Sequence, residues 1–420
     1  MRIIPRSVAL ATVVTFAGHL LAESDSRLAE IAARQEEKAA NAQPDEPNKV
    51  ERSMLWFREQ DPLRRFSSGI AGFRPKLGGL GAGTGFAVGL EYLRTDLTAA
   101  RLTFRTAAQT TFRGDRKLDL QLSAPRLGSD RLFAEFYAVR HDYQRLNYYG
   151  PGPDSEKTGR TDYRLEDTAM DLALGVRAAK HFTLGASAGY VFNNVGRGTD
   201  SRFASAETVY SPAQAAGIDA QANFLRTGVF AQYDWRDNPD GPRRGGNYFV
   251  QFGDYRDRTL GRYDFRRLDL EAQHYVPVLN DRRVFAFRAR STLSDAAGTR
   301  SVPFYMQPTL GGAEDLRGYR PYRFRGDNLF VVSAEYRWEV FSGLDMALFG
   351  DAGQVFDRQS DLRLANMESD LGFGFRFNQR DRTFLRLDVG FSHEGFQVWV
   401  KFKNVFKKGP VHTSSGLGDF

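Results

Sequence analysis

The chain has 420 residues, 26% of them charged, and a mean hydropathy of −0.46, values that by themselves suggest a soluble protein of two or three domains. It contains no cysteine, which excludes a disulfide framework and a thiolate metal site. The 58 basic residues outnumber the 51 acidic ones by only 7, so no nucleic-acid partner is expected. Its 34 Phe, 17 Tyr and 41 Gly favour strands and turns over packed helices.

The first 22 residues have the layout of a secretory signal peptide. Arg2 and Arg6 precede an apolar run from Val8 to Phe16, and a small residue, Ala22, stands at the expected cleavage position. We therefore expect an exported protein, although a bulky residue three positions before the cut leaves the cleavage site open. No later stretch reaches the roughly 18 consecutive apolar residues of a membrane-spanning helix. A membrane crossing would have to use strands.

Residues 23–65 predict one short, mostly polar helix that stops near Pro44, followed by a charged periplasmic linker. The apolar face of this helix is little more than Leu28 and Ile31. This composition favours a solvated tether. The alternative is a docking helix, through which residues 23–65 would bind a separate periplasmic partner.

From Phe66 to Phe406 the dominant pattern has a period of two. In the stretch 330–340, FVVSAEYRWEV, apolar side chains alternate with polar ones, and residues 117–122, 267–273 and 383–392 repeat the pattern. Large apolar residues occupy one face, whereas charged residues and glycines occupy the other. This division is typical of lipid outside and a wet lumen inside. Because strands can cross a bilayer only as a closed barrel, we predict an all-β transmembrane antiparallel β-barrel over 66–406.

Segments of about ten residues predict sixteen strands. They lie near 66–75, 85–94, 97–108, 116–124, 131–142, 163–179, 181–194, 223–236, 246–256, 263–277, 282–294, 328–340, 344–356, 369–378, 383–392 and 396–406. The short connections at 179–181, 278–281, 341–343 and 378–381 all fall on one side of the barrel. The long ones at 143–162, 195–222 and 295–327 fall on the other, which is the extracellular side in this class of barrel.

Two motifs resemble one known family. Leu316, Arg317, Gly318 and Tyr319 match the [VIL]-R-G-[FY] loop signature of the bacterial surface antigen superfamily, which includes BamA-like assembly factors and two-partner-secretion transporters. The stretch FGDAG at 349–353 resembles the F-x-D-x-G element that this family carries on its thirteenth strand. Our independent strand count also makes 344–356 the thirteenth strand. Segments 234–246 and 372–377 are similar to the family as well, so the resemblance covers 66–406.

The resemblance implies that the sixth extracellular loop folds inward and that its arginine, Arg317, pairs with Asp351. The alternation agrees, because it places Asp345, Phe349, Asp351 and Gly353 on the lumen face. Glu335 and Arg376, inward on the flanking strands, are possible second members of this loop-6 lock. The alternative is a solvated loop arginine.

The chain also departs from the family. Members usually carry periplasmic POTRA modules, whereas residues 23–65 are too few for one, so we expect a member lacking POTRA domains. A tail at 407–420 continues past the last predicted strand and is expected to be either a periplasmic plug or unordered.

Enzyme chemistry is not expected. The G-x-S-x-G pattern at 185–189 lies within an alternating strand, whereas a hydrolase nucleophile needs a strand-to-helix turn. The six histidines lack metal-ligand spacing. The sequence therefore predicts no catalytic residue, no cofactor and no metal.

The predicted function is the insertion or translocation of polypeptide or lipid in the outer membrane of a Gram-negative-type bacterium. Two alternatives remain open. One is a gated diffusion channel plugged by loop 308–327, and the other is a membrane anchor for a separate periplasmic partner. Outer-membrane lipid is the expected surrounding in each case, and the client, the solute and the oligomeric state are not determined.

Overall fold

The computed structural model describes residues 70–402, apart from 82, 98–101, 128–129, 280–281, 297, 299 and 380–381, together with residues 33, 34 and 52. The predicted signal peptide at 1–22 and the tail at 407–420 lie outside the described residues. So do residues 66–69 and 403–406 of the predicted barrel and nearly all of segment 23–65.

Sixteen antiparallel strands form a single nearly closed barrel, in which each strand pairs with its neighbours in chain order. The strands are β1 Phe73–Gly78, β2 Ala87–Leu97, β3 Leu102–Thr111, β4 Arg116–Leu127, β5 Leu132–Tyr148, β6 Thr161–Ala179, β7 Phe182–Arg197, β8 Phe224–Asp234, β9 Gly245–Asp257, β10 Phe265–Val278, β11 Arg283–Asp295, β12 Asn328–Phe341, β13 Leu344–Phe356, β14 Glu368–Gln379, β15 Arg382–Ser392 and β16 Gly395–Lys401. The predicted fold class and strand number are confirmed.

The first strand is the one that the sequence placed least accurately. The prediction of a strand near 66–75 is corrected, because residues 70–72 form a tight turn and β1 begins at Phe73. Ala71 and Gly72 have φ angles of 52° and 89°, which extended backbone does not tolerate. Ile70 and Phe73 exchange two backbone hydrogen bonds of 3.0 Å across this turn.

The alternation of side chains sorts them between the lumen and the outer wall as predicted. On β13, Asp345, Phe349 and Asp351 point inward and are buried, whereas Leu348 points outward and keeps 52% of its surface exposed. The large exposed residues of the other strands are mostly Leu, Val and Phe. The outer wall is therefore apolar, which suits contact with hydrocarbon.

Between residues 70 and 402, the short helices of the described chain occupy only the loops. They are a one-turn α-helix at Ala206–Val209 and 3-10 turns at Lys157–Gly159, Phe304–Met306, Gln359–Asp361 and Leu364–Asn366. No helix in this part of the protein is both long and apolar enough to cross a membrane.

The loops that follow odd-numbered strands lie together at one end, here called the long-loop end, and pack into an aromatic cap. The ring centre of Phe304, from the loop between β11 and β12, lies 5.2 Å from that of Tyr148 and 5.0 Å from that of Tyr163. Arg325 donates to the Tyr163 hydroxyl at 2.9 Å and to the Phe304 carbonyl. The Tyr305 hydroxyl accepts a hydrogen bond from the backbone N–H of Ala222. The cap therefore ties three long loops to one another.

The two end strands of the sheet, β1 and β16, meet at a seam without a ladder among the described residues. Within that range, β1 pairs only with β2, and β16 pairs only with β15. Side chains nevertheless touch across the gap. The ring of Phe402, just after β16, lies 6.1 Å from the ring of Phe86, just before β2. The seam joins strands of six and seven residues, the shortest in the barrel.

Candidate functional site

Residues 308–327, part of the loop between β11 and β12, fold into the lumen. A two-residue ladder pairs Thr309–Leu310 with Phe324–Arg325 and closes the base of the inward segment. Gly311 starts its tip with a φ of 104°, and a Cβ at this position would lie 2.3 Å from the carbonyl oxygen of Arg320. Only glycine fits there. The apolar contacts of this segment with the inner wall involve Leu310, Leu316, Tyr319, Phe324, Leu329, Val331 and Val355.

Arg317 lies at the centre of the inward segment, with 1% of its surface exposed. Its Nε and Nη2 donate to the two carboxylate oxygens of Asp351 at 2.7 and 2.9 Å, which is the bidentate geometry of a strong ion pair. Its Nη1 donates to Glu335 at 2.8 Å. The guanidinium carbon lies 3.4 Å from the centre of the Phe349 ring, so one face of the planar guanidinium group makes a cation–π contact with this ring.

Strand periodicity explains why these partners converge. Glu335 on β12 is directly opposite Phe349 on β13, and Asp351 is two residues further along β13, so all three side chains face the lumen. Burial alone lowers the pKa of Arg317. The Asp351 carboxylate, followed by Glu335, more than offsets this and raises that pKa well above its usual value. Arg317 therefore stays charged.

Glu335 is the hub of a wider charge network. Besides Arg317, its carboxylate accepts hydrogen bonds from Arg337 at 2.7 Å and from Arg376 at 3.0 Å. Arg376 continues to Asp388, which also lies 2.9 Å from Arg386. Each of these buried charges is tolerated because an opposite charge touches it. The network links β12, β14 and β15 to the loop.

The loop backbone is held by the last three strands. The Trp399 indole on β16 donates to the Arg317 carbonyl at 2.7 Å, and Ser392 on β15 donates to the Gly318 carbonyl at 3.0 Å. The Gly318 N–H donates to Asp370 on β14 at 2.9 Å. The loop tip therefore connects Glu335 on β12 and Asp351 on β13 with β16, the strand at one edge of the seam.

Two glycines permit this close approach. A Cβ at Gly318 would lie 2.6 Å from the Asp370 side chain, and a Cβ at Gly390 on β15 would lie 2.5 Å from the Arg317 backbone. Distances below 3 Å mean that any larger residue would displace the loop. Gly353, which the sequence analysis placed beside Arg317, instead faces Leu310 of the loop ladder.

Further contacts fasten the loop on both sides of Arg317. Asp315 pairs with Arg288 at 3.3 Å and with Arg290 at 3.0 Å, both on β11. The Tyr319 hydroxyl donates to Glu368 at 2.6 Å. The inward segment is thus held by side chains from β11 through β16.

Of the residues selected from sequence, the structure brings Arg317, Asp351, Phe349 and Glu335 into direct contact, and Arg376 joins them through Glu335. Sequence reasoning missed the roles of Asp370, Gly390 and Trp399. Alternation would have placed Asp370 inward, directly opposite Asp351. A glycine inside a strand such as β15 is a signal of close backbone approach.

Ser187, at the centre of the G-x-S-x-G pattern, lies inside β7 and not at a strand-to-helix turn. Across the part of the chain that the structure describes, no three His, Asp or Glu residues are placed to hold a metal ion. The chemistry that this site offers is electrostatic fastening of a loop.

A comparison with family models matches residues 80–395 to the Omp85 superfamily domain. Among solved structures, BamA from Haemophilus ducreyi lacking POTRA domains 1–3 is similar with a TM-score of 0.58 and 13% identity, over 79% of this chain and 70% of that one. CdiB from Escherichia coli is similar with a TM-score of 0.55 and 13% identity, over 79% of this chain. The chain spans 62% of the length of that CdiB structure.

Replacing Arg317 by Ala is expected to release the loop without unfolding the barrel. Removing one partner of a buried ion pair weakens its surroundings by about 3–5 kcal/mol, because the remaining carboxylates lose their counterion. Trypsin should then cleave residues 308–327 in the folded variant. Arg363→Ala is the control, since Arg363 is an exposed arginine of a neighbouring loop. Equal protease resistance of this loop in Arg317→Ala and in the parent would contradict the lock.

Replacing Gly390 by Ala tests the same contact without changing any charge. The added Cβ collides with the Arg317 backbone, so we expect the loop tip to shift and residues 308–327 to become protease-sensitive. Gly196→Ala on β7 is the matched control, because a Cβ there meets nothing within 4 Å. The close-approach argument fails if the two variants show the same cleavage rate.

Proposed function

The chain belongs to the Omp85 superfamily, and on that premise we propose that its barrel inserts or translocates polypeptide or lipid through the seam between β1 and β16. It is an outer-membrane β-barrel, as its sequence predicts. The observation that carries the proposal is that β1 and β16, the two end strands of the sheet and its shortest, form no ladder with each other among the described residues.

Unpaired strand edges are costly in a membrane. Each unsatisfied backbone group costs several kcal/mol in hydrocarbon, so an incompletely paired edge favours pairing with another strand. A client strand could add to β1 or β16 by this means. Trp399 and Ser392 tie the β15–β16 edge to the locked loop, which supports a role for the lock in keeping that edge in register while β1 moves away.

Cross-linking the seam is expected to abolish this activity. Phe86→Cys and Phe402→Cys can be joined by a short, cleavable bismaleimide, because the two rings lie 6.1 Å apart and the chain has no other cysteine. Cells depleted of the native protein and supplied with the cross-linked one should show altered surface or secreted proteins, or altered surface lipid. Cleaving the linker should restore them.

The matched control joins Phe373→Cys to Phe391→Cys across the paired strands β14 and β15, where the rings are 6.3 Å apart. That cross-link should leave activity unchanged, because it adds no constraint to a ladder that is already hydrogen-bonded. Full activity of the seam cross-link would exclude opening at the seam. Depletion with no effect on any surface component would count against the whole proposal.

A gated diffusion channel is the second candidate, and the inner wall of β1–β4 favours it. Lys76 and Arg105 pair with Glu91 and Asp119 there, and these two cations keep 27% and 21% of their side-chain surface exposed. Partly exposed inward charges are typical of an aqueous lumen. The inward segment of residues 308–327 would act as the plug.

Single-channel recording discriminates between the two candidates. A channel predicts that Arg317→Ala increases conductance or open probability, because the plug loses its anchor, whereas the seam cross-link leaves conductance unchanged. An insertase or translocase predicts loss of activity with the cross-link whatever the conductance. Unchanged currents in Arg317→Ala would exclude gating by this loop.

A further inference from the structure

The hairpin of β9 and β10, together with the end of β11 and the loop that follows it, carries a cluster of charges at the long-loop end of the barrel, here called the rim cluster. It consists of Arg256, Arg258, Arg262, Arg266 and Arg300 with Asp254, Asp264 and Asp295. Tyr255 and Phe265 are buried on the inner face, so their neighbours Asp254, Arg256 and Arg266 face outward. The strand residues of the cluster therefore lie on the membrane side of the barrel.

Arginine is in excess in the rim cluster and is accessible. Arg256 and Arg300 pair with Asp254 and Asp264 at 2.6 Å, yet their side chains keep 46% and 40% of their surface exposed. Arg266 is 60% exposed and lies 3.6 Å from Asp254. Arg258 and Arg262 are exposed and form no ion pair within the described chain.

An apolar trough lies below the rim cluster on the same outer wall. Two grooves of about 480 and 640 Å³ share Ala272 on β10 and Ala289 on β11 and run from β7 to β14. The trough forms because seven outward-facing residues along it are small. These are Ala231, Ala272, Ala289, Ala334, Gly350, Ala352 and Ser369.

Larger side chains border the floor of this trough. Leu270 and Phe330 stand on the side nearer the rim cluster, whereas Phe287 and Leu371 stand further along. The outer wall faces hydrocarbon. If the trough were empty, its lining residues would lack van der Waals contacts, which a flexible acyl chain can supply.

The distance between the rim cluster and the trough allows a single lipid molecule to contact both. Arg266 and Ala272 are six residues apart on β10, which is about 20 Å along the strand, and strand tilt shortens the depth below the rim. A headgroup at the membrane interface and its acyl chains are separated in the same direction. The guanidinium fork suits phosphate oxygens, whereas a neutral headgroup would gain nothing from the excess arginines.

We propose that the rim cluster and the trough together form a binding site for a phosphate-bearing lipid of the leaflet at the long-loop end. The arginines hold the phosphate, and the trough holds its acyl chains. Lipid is therefore retained at the β9–β12 side of the wall and not uniformly around the barrel. This site is separate from the Arg317 lock and does not depend on the proposed function.

Native mass spectrometry of the full chain in mild detergent tests the proposal. The probes are phosphatidic acid and phosphatidylcholine with identical acyl chains, added at equal concentration. We expect about tenfold more phosphatidic acid to be retained, the factor that one or two interfacial arginines supply. R258Q, R262Q, R266Q and R300Q combined should reduce its retention to that of phosphatidylcholine. R126Q and R131Q combined, which removes exposed arginines from the other end, should change nothing.

A second variant tests the trough. Ala289→Phe should fill the floor and reduce retention of both lipids, whereas Ala138→Phe, on the outer face of β5, should not. Gel mobility without heating checks that each variant is a folded barrel. Equal retention of the two lipids by the parent would overturn the proposal. So would retention that neither variant alters, or a dimer that excludes lipid and is lost in Ala289→Phe.

Discussion

The inward loop depends on one buried interaction, the bidentate pairing of Arg317 with Asp351 alongside Glu335. A loop that enters a barrel loses conformational entropy and must desolvate its polar groups, so it needs concentrated, directional contacts. Arg317 supplies three charge-assisted hydrogen bonds and one aromatic contact from a single side chain. The surrounding arginines and carboxylates neutralise one another, which makes a buried ionic centre tolerable.

That centre organises the last five strands of the sheet. The acidic partners stand on β12 and β13, whereas the loop backbone is held by Asp370, Ser392 and Trp399 on β14, β15 and β16. The ladder of the barrel ends at β16, so the lock strengthens the region where strand pairing is weakest among the described residues. The aromatic cap fastens the same loop at the long-loop end. Loop docking and seam geometry are therefore physically coupled.

The outer wall adds a separate constraint. Small outward-facing residues form the trough, whereas most of the wall is covered by Leu, Val and Phe, and the rim cluster lies above the trough. An Omp85-family barrel that opens at a seam must keep its remaining wall stable in the bilayer. In a barrel whose seam opens as proposed, a lipid retained on the side of β9–β12 would serve as a fixed contact.

The sequence by itself determined the barrel, the number of strands and which side chains of β13 face the lumen. These follow from the alternation of polar and apolar residues along each strand, which is a local property of the sequence. It also pointed to Arg317 and Asp351 through spaced motifs. Only the tertiary structure decided that β1 starts after a tight turn and that Gly353 faces Leu310. It also decided that Asp370, Gly390 and Trp399 hold the loop backbone. These contacts depend on strand register and on where a 32-residue loop returns to the wall, and both arise from contacts between distant segments.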